Sequence, residues 1–249
     1  MTITSTHNQR LKEIRKLRMR RRTRQQTGRF VAEGEDLLAA ADGAGWQPVE
    51  RFCAAGSGLA GVEVDGAVLA KASGLASGTR ALAVYEERWA EKPVGPLCVY
   101  LHGVQDPGNV GAILRSAQAF GASCVALGPA SADPFGPKAV RASMGAIFSV
   151  PMARVGDAAE LPGLKIALVA GAEVPLAQLW LITSGGRRST ADVLPPASLL
   201  IGSERDGLPA AIVAKADHVA HIPINTDSLN AAMAATVALY EATRMARGS

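Results

Sequence analysis

The chain has 249 residues, 48% hydrophobic and 19% charged, enough for one large or two modest domains with a real core; aromatics at 4% exclude stacking spread over a wide surface. No apolar run spans a bilayer, the basic start lacks the apolar stretch of a secretory signal, and Cys53, Cys98 and Cys124 form no CxxC, so no membrane, disulfide framework or cysteine zinc site is expected and a cytoplasmic location is. The net charge of +4 is uneven: residues 10–29 hold ten Lys or Arg against Glu13 alone, a local +9 with −5 elsewhere, which points to a polyanion such as nucleic acid, a solvated helix face or a disordered tail being the plainer alternative.

In chain order, residues 4–29 read as one helix with a thin apolar stripe of Leu11, Ile14 and Leu17. Phe30-Val31-Ala32 reads as a short strand, Gly34 as a turn and Glu35–Ala41 as a helix, with small strands and Gly turns to about Val84. The charged, Pro-containing stretch 86–96 reads as a linker. From Leu97 the pattern changes. Leu97–Leu101 is a strand buried on both faces. Asn109 is placed as a helix N-cap, Val110, Ile113, Leu114, Ala117 and Phe120 recur at helical spacing, and Gly121 sits at the C-cap. Further strands are expected at Cys124–Leu127, near Phe148–Ala153, at Ile166–Ala170, at Leu199–Ile201 and at Val219–Ile222, with a helix near Lys138–Met144. Residues 183–196 read as a polar loop. A long Ala-rich helix from about Ser228 closes the chain, with Leu229, Met233, Val237 and Tyr240 as its apolar stripe and Glu241/Arg244 as an i,i+3 pair. Strands alternating with helices mean α/β with a mostly parallel sheet.

Three turns combine buried strands with Gly, Asn, Glu or Ser: 102–111 followed by Arg115, 201–209, and 222–230. In α/β sheets the ligand sits beyond the carboxyl ends of the strands, so these turns are the natural site. Each also has a plain reading, as a strand-turn-helix corner with Asp227 or Ser228 as an N-cap and Arg115 as a surface arginine. There is no GxGxxG, no GxxxxGK[ST] and no GxSxG, so dinucleotide, P-loop and hydrolase sites lack support. His218 and His221 form an HxxH without companion ligands, and no metal site is expected.

Taken together, NVGAILRSAQAFGA (109–122), LLIGSERDGLP (199–209) and IPINTDSLNAAMAATVALYEATR (222–244) resemble the three motifs of the SpoU/TrmH family of RNA ribose 2′-O-methyltransferases, within the SPOUT superfamily. DPFGPKAVRASMGAIFSVP (133–151) matches too, and residues 3–34 resemble the family's substrate-binding domain, similar to RNA-binding ribosomal proteins. The resemblance implies a small α/β RNA-binding domain at 1–88, a linker at 89–96 and a SPOUT α/β catalytic domain at 97–249 with a C-terminal trefoil knot. It implies S-adenosylmethionine held by Ala170, Gly171, Ile201, Gly202, Ile222 and Leu229, and a homodimer through the C-terminal domain with each active site at the subunit interface. The loop Asn225-Thr226-Asp227 is shorter than the family's usual version, and residues 172–196 are longer.

The implied reaction moves a methyl group from the cofactor to a ribose hydroxyl, most readily of 23S ribosomal RNA. The alternatives are transfer RNA, a ribosome-targeting resistance enzyme, and a non-catalytic RNA-binding protein. Oxygen, methyl and sulfur must be aligned and a weak acid must lose its proton. The family's proposed base corresponds to Arg115, but a guanidinium stays protonated far above neutrality. Arg115 is therefore expected to hold the neighbouring phosphate and stabilise developing alkoxide charge. Asn109 and Glu204 are expected to pair and orient Arg115, and Ser228 and Asn230 to place the ribose and order the cofactor loop. Arg10, Lys12, Arg20, Arg21, Arg22 and Arg141 are the expected RNA contacts.

Overall fold

A computed structural model describes residues 2–74, 78–183 and 195–246. In chain order the elements are α1 (Gln9–Met19), α2 (Arg21–Thr27), β1 (Arg29–Glu33), α3 (Glu35–Gly43), β2 (Glu50–Ala54), β3 (Val62–Val64), α4 (Gly66–Ala72) and β4 (Ala81–Glu86). There follow β5 (Leu97–Leu101), α5 (Pro107–Ala119), β6 (Cys124–Leu127), α6 (Pro137–Ala142), β7 (Met152–Arg154), β8 (Leu164–Leu168), α7 (Leu176–Thr183), β9 (Ala197–Ile201), α8 (Ala210–Val213), β10 (His218–Ala220) and α9 (Ala231–Ala246). They form two compact units: Met1–Arg88 with Asp133–Ser149, and Trp89–Ala132 with Val150–Ser249.

The first unit is built on a mixed sheet of order β1-β4-β2-β3, antiparallel except for β2 beside β3. The stripe Leu11, Ile14 and Leu17 is buried, packed with Val31, Phe52, Leu69 and Leu82. The single helix expected over 4–29 is in fact two. Asn8 caps α1 by accepting from the Arg10 N–H, and Arg20 is extended (φ −123°, ψ 109°), which ends the first helix before α2 begins. The physical reason lies in the sequence after Leu17: the positions that would continue the stripe, Arg20 and Arg21, are arginines, and Met19 points away from it, exposed. Arg24 turns back instead and donates to the Leu17 carbonyl at 2.5 Å, closing the end of α1. The stretch to Val84 also holds a helix, α4, which sequence patterning missed; Asp65 caps it by accepting from the Ala67 and Val68 N–H groups.

Five of the chain's few aromatic residues cluster together in this unit. Phe30 lies 4.7 Å from Phe135 between ring centroids, Trp46 and Tyr85 each lie 5.2 Å from Phe148, and the Trp46 indole donates to the Phe148 carbonyl at 2.8 Å. Two of the five rings thus come from the segment 133–149, which reaches this core from between β6 and β7. The strand expected near Phe148–Ala153 begins later, at Met152; Phe148 sits in a 3-10 turn, Ala146–Phe148, where its ring joins the aromatic core.

The second unit is a six-stranded sheet of order β10-β8-β9-β5-β6-β7 in which every neighbouring pair is parallel. Central β5 is buried from Cys98 to Leu101, as its unbroken apolar run predicts. The strands expected at Ile166–Ala170 and Val219–Ile222 lie earlier, at β8 and β10, because the ladder between them stops at Leu168 and Ala220 and the chain leaves as loops. Helix α5 starts at Pro107, and its N-cap is Asp106 rather than Asn109: the Asp106 carboxylate accepts from the N–H groups of Gly108 and Asn109. Residues of the expected linker pack here as well; Ala90 donates to the Met152 carbonyl at 2.7 Å, and the Arg154 guanidinium covers the Trp89 ring at 4.2 Å.

The last helix departs furthest from expectation. It starts at Ala231, not Ser228, with Asn230 accepting from the Ala232 and Met233 N–H groups. Its buried face is Ala231, Ala232, Ala235, Ala238, Leu239 and Ala242, whereas Met233 is 61% exposed and Tyr240 50%. Alanines win the interior because α5 approaches closely, close enough for the Ser116 and Thr236 hydroxyls to bond at 2.6 Å. Glu241 and Arg244 pair at 2.9 Å, as their spacing predicts. The expected polar loop 183–196 lies, but for its ends, outside the described residues.

Candidate active site

The sheet order reverses around β5 and β9: β6 and β7 follow on one side, β8 and β10 on the other. Such a switch point splays successive loops apart at the carboxyl ends of the strands and leaves a crevice. Here the loops after β8, β9 and β10 enclose a cleft of about 370 Å³. Ala170, Gly171, Ile201, Gly202, Ile222 and Leu229 all line it, together with Glu204 and Ser228. The short loop 225–227 still delivers Ile224 and Asp227 to the wall.

The turn after β9 is locally determined. Ser203 and Gly207 exchange backbone hydrogen bonds, and the Ser203 hydroxyl accepts from the Asp206 N–H at 3.0 Å. A Cβ on Gly202 would fall 2.2 Å from the Gly207 carbonyl carbon, so only glycine lets the turn fold back this tightly. Glu204 is carried on that turn.

Three side chains from three separate turns meet there. The Asn109 amide donates to Glu204 Oε1, and the Asn230 amide donates to Asn109 Oδ1 at 3.0 Å. Asn230 Oδ1 caps α9. The direction of this relay is fixed by chemistry. An ionised carboxylate only accepts, so Asn109 must turn its NH₂ to Glu204 and its oxygen to Asn230; Asn230 must then donate, leaving its oxygen for the N–H groups of the helix. The start of α9, the first turn of α5 and the β9 turn are thereby held in one geometry.

Arg115 lies outside this relay. It is exposed on α5, does not line the cleft, and has no hydrogen bond or ion pair among the described residues. Six residues of helix after Asn109 turn it about 120° away from that side chain. The Asn109–Glu204 pair is present, but Arg115 makes no bond to it. Behind the first turn of α5, His102 shares a 2.9 Å hydrogen bond with the Tyr100 hydroxyl, and burial pushes its imidazole below the ordinary histidine range, toward the neutral form. Asp106, Thr236 and this Tyr100–His102 pair were not singled out by sequence; only the Asp-Pro step before the α5 stripe gave a signal, as a cap followed by proline at the first helical position.

In the first unit, the basic stretch divides in two. Arg24 is buried against Asp133 at 2.7 Å, Arg18 is paired with buried Glu33, and Arg10 with Glu50. Lys12, Lys16, Arg20, Arg21 and Arg22 are exposed and make no ion pair among the described residues. Arg141 lies 3.9 Å from Glu33, so its charge faces inward in part. Among the described residues no His, Cys, Asp and Glu gather as metal ligands, and His218 and His221 have no such companions.

Comparison with known proteins agrees with this layout. Residues 96–240 match the SpoU rRNA Methylase family, and residues 8–87 match the MRM3-like substrate binding domain. The chain is 32% identical to an uncharacterised tRNA/rRNA methyltransferase of Synechocystis over 98% of its own length and 93% of that protein. It is 38% identical to the 23S rRNA (uridine(2479)-2′-O)-methyltransferase of Streptomyces viridochromogenes over 55% of this chain and 49% of that one. An AdoMet-bound rRNA methyltransferase from Sinorhizobium meliloti superposes with a TM-score of 0.81 at 30% identity, covering 98% of this chain and 97% of that one. A parallel sheet with its crevice at the switch point, motif residues joined across three turns, and a match over 96–240 have one common reading: the chain belongs to the SpoU rRNA Methylase family.

Proposed function

We propose that the protein transfers a methyl group from S-adenosylmethionine to a ribose 2′-hydroxyl of ribosomal RNA, in the cytoplasm, as a homodimer. The observation that carries this is the Asn230–Asn109–Glu204 relay at the rim of the 370 Å³ cleft. The cleft suits the cofactor by its chemistry. Leu168, Ile201, Leu208 and Ile222 offer apolar walls for a purine, and Glu204, Asp206 and Asp227 offer carboxylates to ribose hydroxyls and positive charge. The cofactor, when bound, supplies a methyl group activated by a sulfonium.

The remaining work falls to the chain. The relay fixes the three turns, Ser228 lies at the cleft wall, and Arg115, without an internal partner among the described residues, holds an RNA phosphate and stabilises the oxygen as it loses its proton. Residues 1–88 bind the RNA substrate, with Lys12 and Arg20–Arg22 as its cationic face; 89–96 join them to a catalytic domain at 97–249 that carries the family's knot. The exposed stripe Met233, Val237 and Tyr240 on α9, with Phe120 6.2 Å from Tyr240, is the surface on which a second copy completes the site.

Arg115→Ala tests the reading. It should lower the rate on ribosomal RNA by about 10²–10³, the loss of roughly 2.7–4 kcal/mol that follows removal of one preorganised donor, with cofactor affinity retained. Mapping of 2′-O-methyl positions in RNA from a strain lacking the gene names the nucleotide. Turnover of Arg115→Ala at the parent rate, or an unchanged methylation map, would overturn the proposal.

A further inference from the structure

The first unit carries a second groove, of about 270 Å³, between the α1–α2 pair and the sheet. Drug-sized ligands take pockets of about 300–1,000 Å³, so this one suits a fragment such as a single nucleotide. Its floor is apolar, with Val49 44% exposed beside buried Val84. Its walls are cationic and acidic at once. Arg10, Lys16 and Arg29 line it, and so do Glu13 and Glu50. That mixture disfavours a bare anion, which the carboxylates would repel. It matches a nucleotide, whose phosphates need cations and whose base edge carries N–H donors.

The individual groups fit that division. Arg10 is held by Glu50 with its guanidinium 5.1 Å from the ring of fully buried Phe52, so a flat cation is pinned on the groove wall. Arginine planes serve as stacking surfaces for unpaired bases, and among the described residues no aromatic ring lines this groove to compete. Lys16 is exposed without an ion-pair partner among the described residues and is available to a phosphate. Glu13 receives Gln9 on Oε1, and its other carboxylate oxygen has no partner among the described residues. A carboxylate accepts from the exocyclic amino group of cytosine and finds no donor at the same place on uracil.

We infer that this groove is a specificity pocket for one unstacked RNA nucleotide bearing an exocyclic amino group, cytidine over uridine, gripped by Lys16 and Arg10 and read by Glu13. The inference rests on RNA being the substrate and adds a place where base identity is read apart from the methylation cleft.

The test uses the full chain and two fluorescent RNA hexamers, oligocytidine and oligouridine, followed by anisotropy at low salt, with melting temperature as the check on folding. Oligocytidine should bind about tenfold tighter than oligouridine, in the range one base contact gives. Glu13→Gln changes an exposed side chain and should bring the two affinities within about twofold of each other, mostly by weakening oligocytidine. Val49→Trp should fill the groove and abolish the preference from the other side. Equal binding of both hexamers by the parent, or a preference that survives both substitutions in folded protein, overturns the inference. Methyl incorporation into ribosomal RNA is measured alongside: its absence would remove the functional reading and leave the hexamer preference standing, whereas methylation without hexamer preference would remove only the pocket.

Discussion

The two units use polar side chains in opposite ways. In the second unit, the Asn and Glu residues of the site are short and tied to one another from three turns, and Arg115 has no hydrogen bond or ion pair among the described residues. In the first, the long cations themselves are sorted: Arg24 and Arg18 are spent on internal partners, Arg10 is pinned by Glu50 on the groove wall, and Lys12, Lys16 and Arg20–Arg22 make no ion pair among the described residues. The difference teaches that charge density along a sequence is not charge density on a surface. A +9 stretch contributes about half its cations to architecture, because a buried Asp or Glu across the core needs a partner more than the surface needs another arginine.

That division is most sharply tested at Arg24. Its side chain is 6% exposed and its partner Asp133 14%. Arg24→Ala should destabilise the first unit by about 3–5 kcal/mol, since it strands a buried carboxylate, whereas Arg21→Ala should stay within about 0.5 kcal/mol. Chemical denaturation of the two variants reads this directly; equal midpoints would erase the distinction between anchored and free cations.

Asn109→Asp breaks the other half of the comparison. It sets a second carboxylate against Glu204 and removes a hydrogen bond to a charged group, a loss of about 1.5–3 kcal/mol. The rate should fall by about 10–10² at pH 8. Two facing carboxylates raise one another's affinity for a proton, so the variant should regain part of its activity as the pH is lowered and one of the pair can donate again. A variant that turns over like the parent at pH 8 would show that the relay does not matter to the reaction.

The mildest expected effect is on the exposed arginines. Replacing Arg20, Arg21 and Arg22 with Gln should leave the melting temperature nearly unchanged, weaken RNA binding across sequences and flatten the salt dependence by about 0.7 per lost phosphate contact. RNA titrations at three salt concentrations check it. Parent-like binding at every salt would make the exposed cations a solvated face, the plainer alternative for this stretch.

Much of this was legible in the sequence. Buried β5 and β9 follow from unbroken apolar runs, the Leu11–Ile14–Leu17 stripe from helical spacing, and the cleft wall from three motif turns in order. Such features are local: periodicity and turn chemistry are carried by adjacent residues, so a reading of adjacent residues finds them. What was missed depends on partners far away in the chain. Asn230 takes the capping position in place of Ser228 because Asn109, itself held by Glu204, accepts from its amide and leaves its oxygen for the helix. Met233 and Tyr240 face outward, against their apolar character, because α5 lies too close to α9 for anything larger than alanine over most of the seam.

The aromatic core makes the same point at larger scale. Phe135 and Phe148 lie in a segment that the sequence assigns to the neighbourhood of β6 and β7, and nothing in that segment's periodicity announces that it packs on Phe30, Trp46 and Tyr85. The class of fold, most strands of the second unit and the turns that line the cleft were readable from local pattern. Tertiary structure alone decided which arginines are free, which face of α9 is bare and where residues 133–149 belong, because burial and pairing are properties of surfaces brought together across more than a hundred residues.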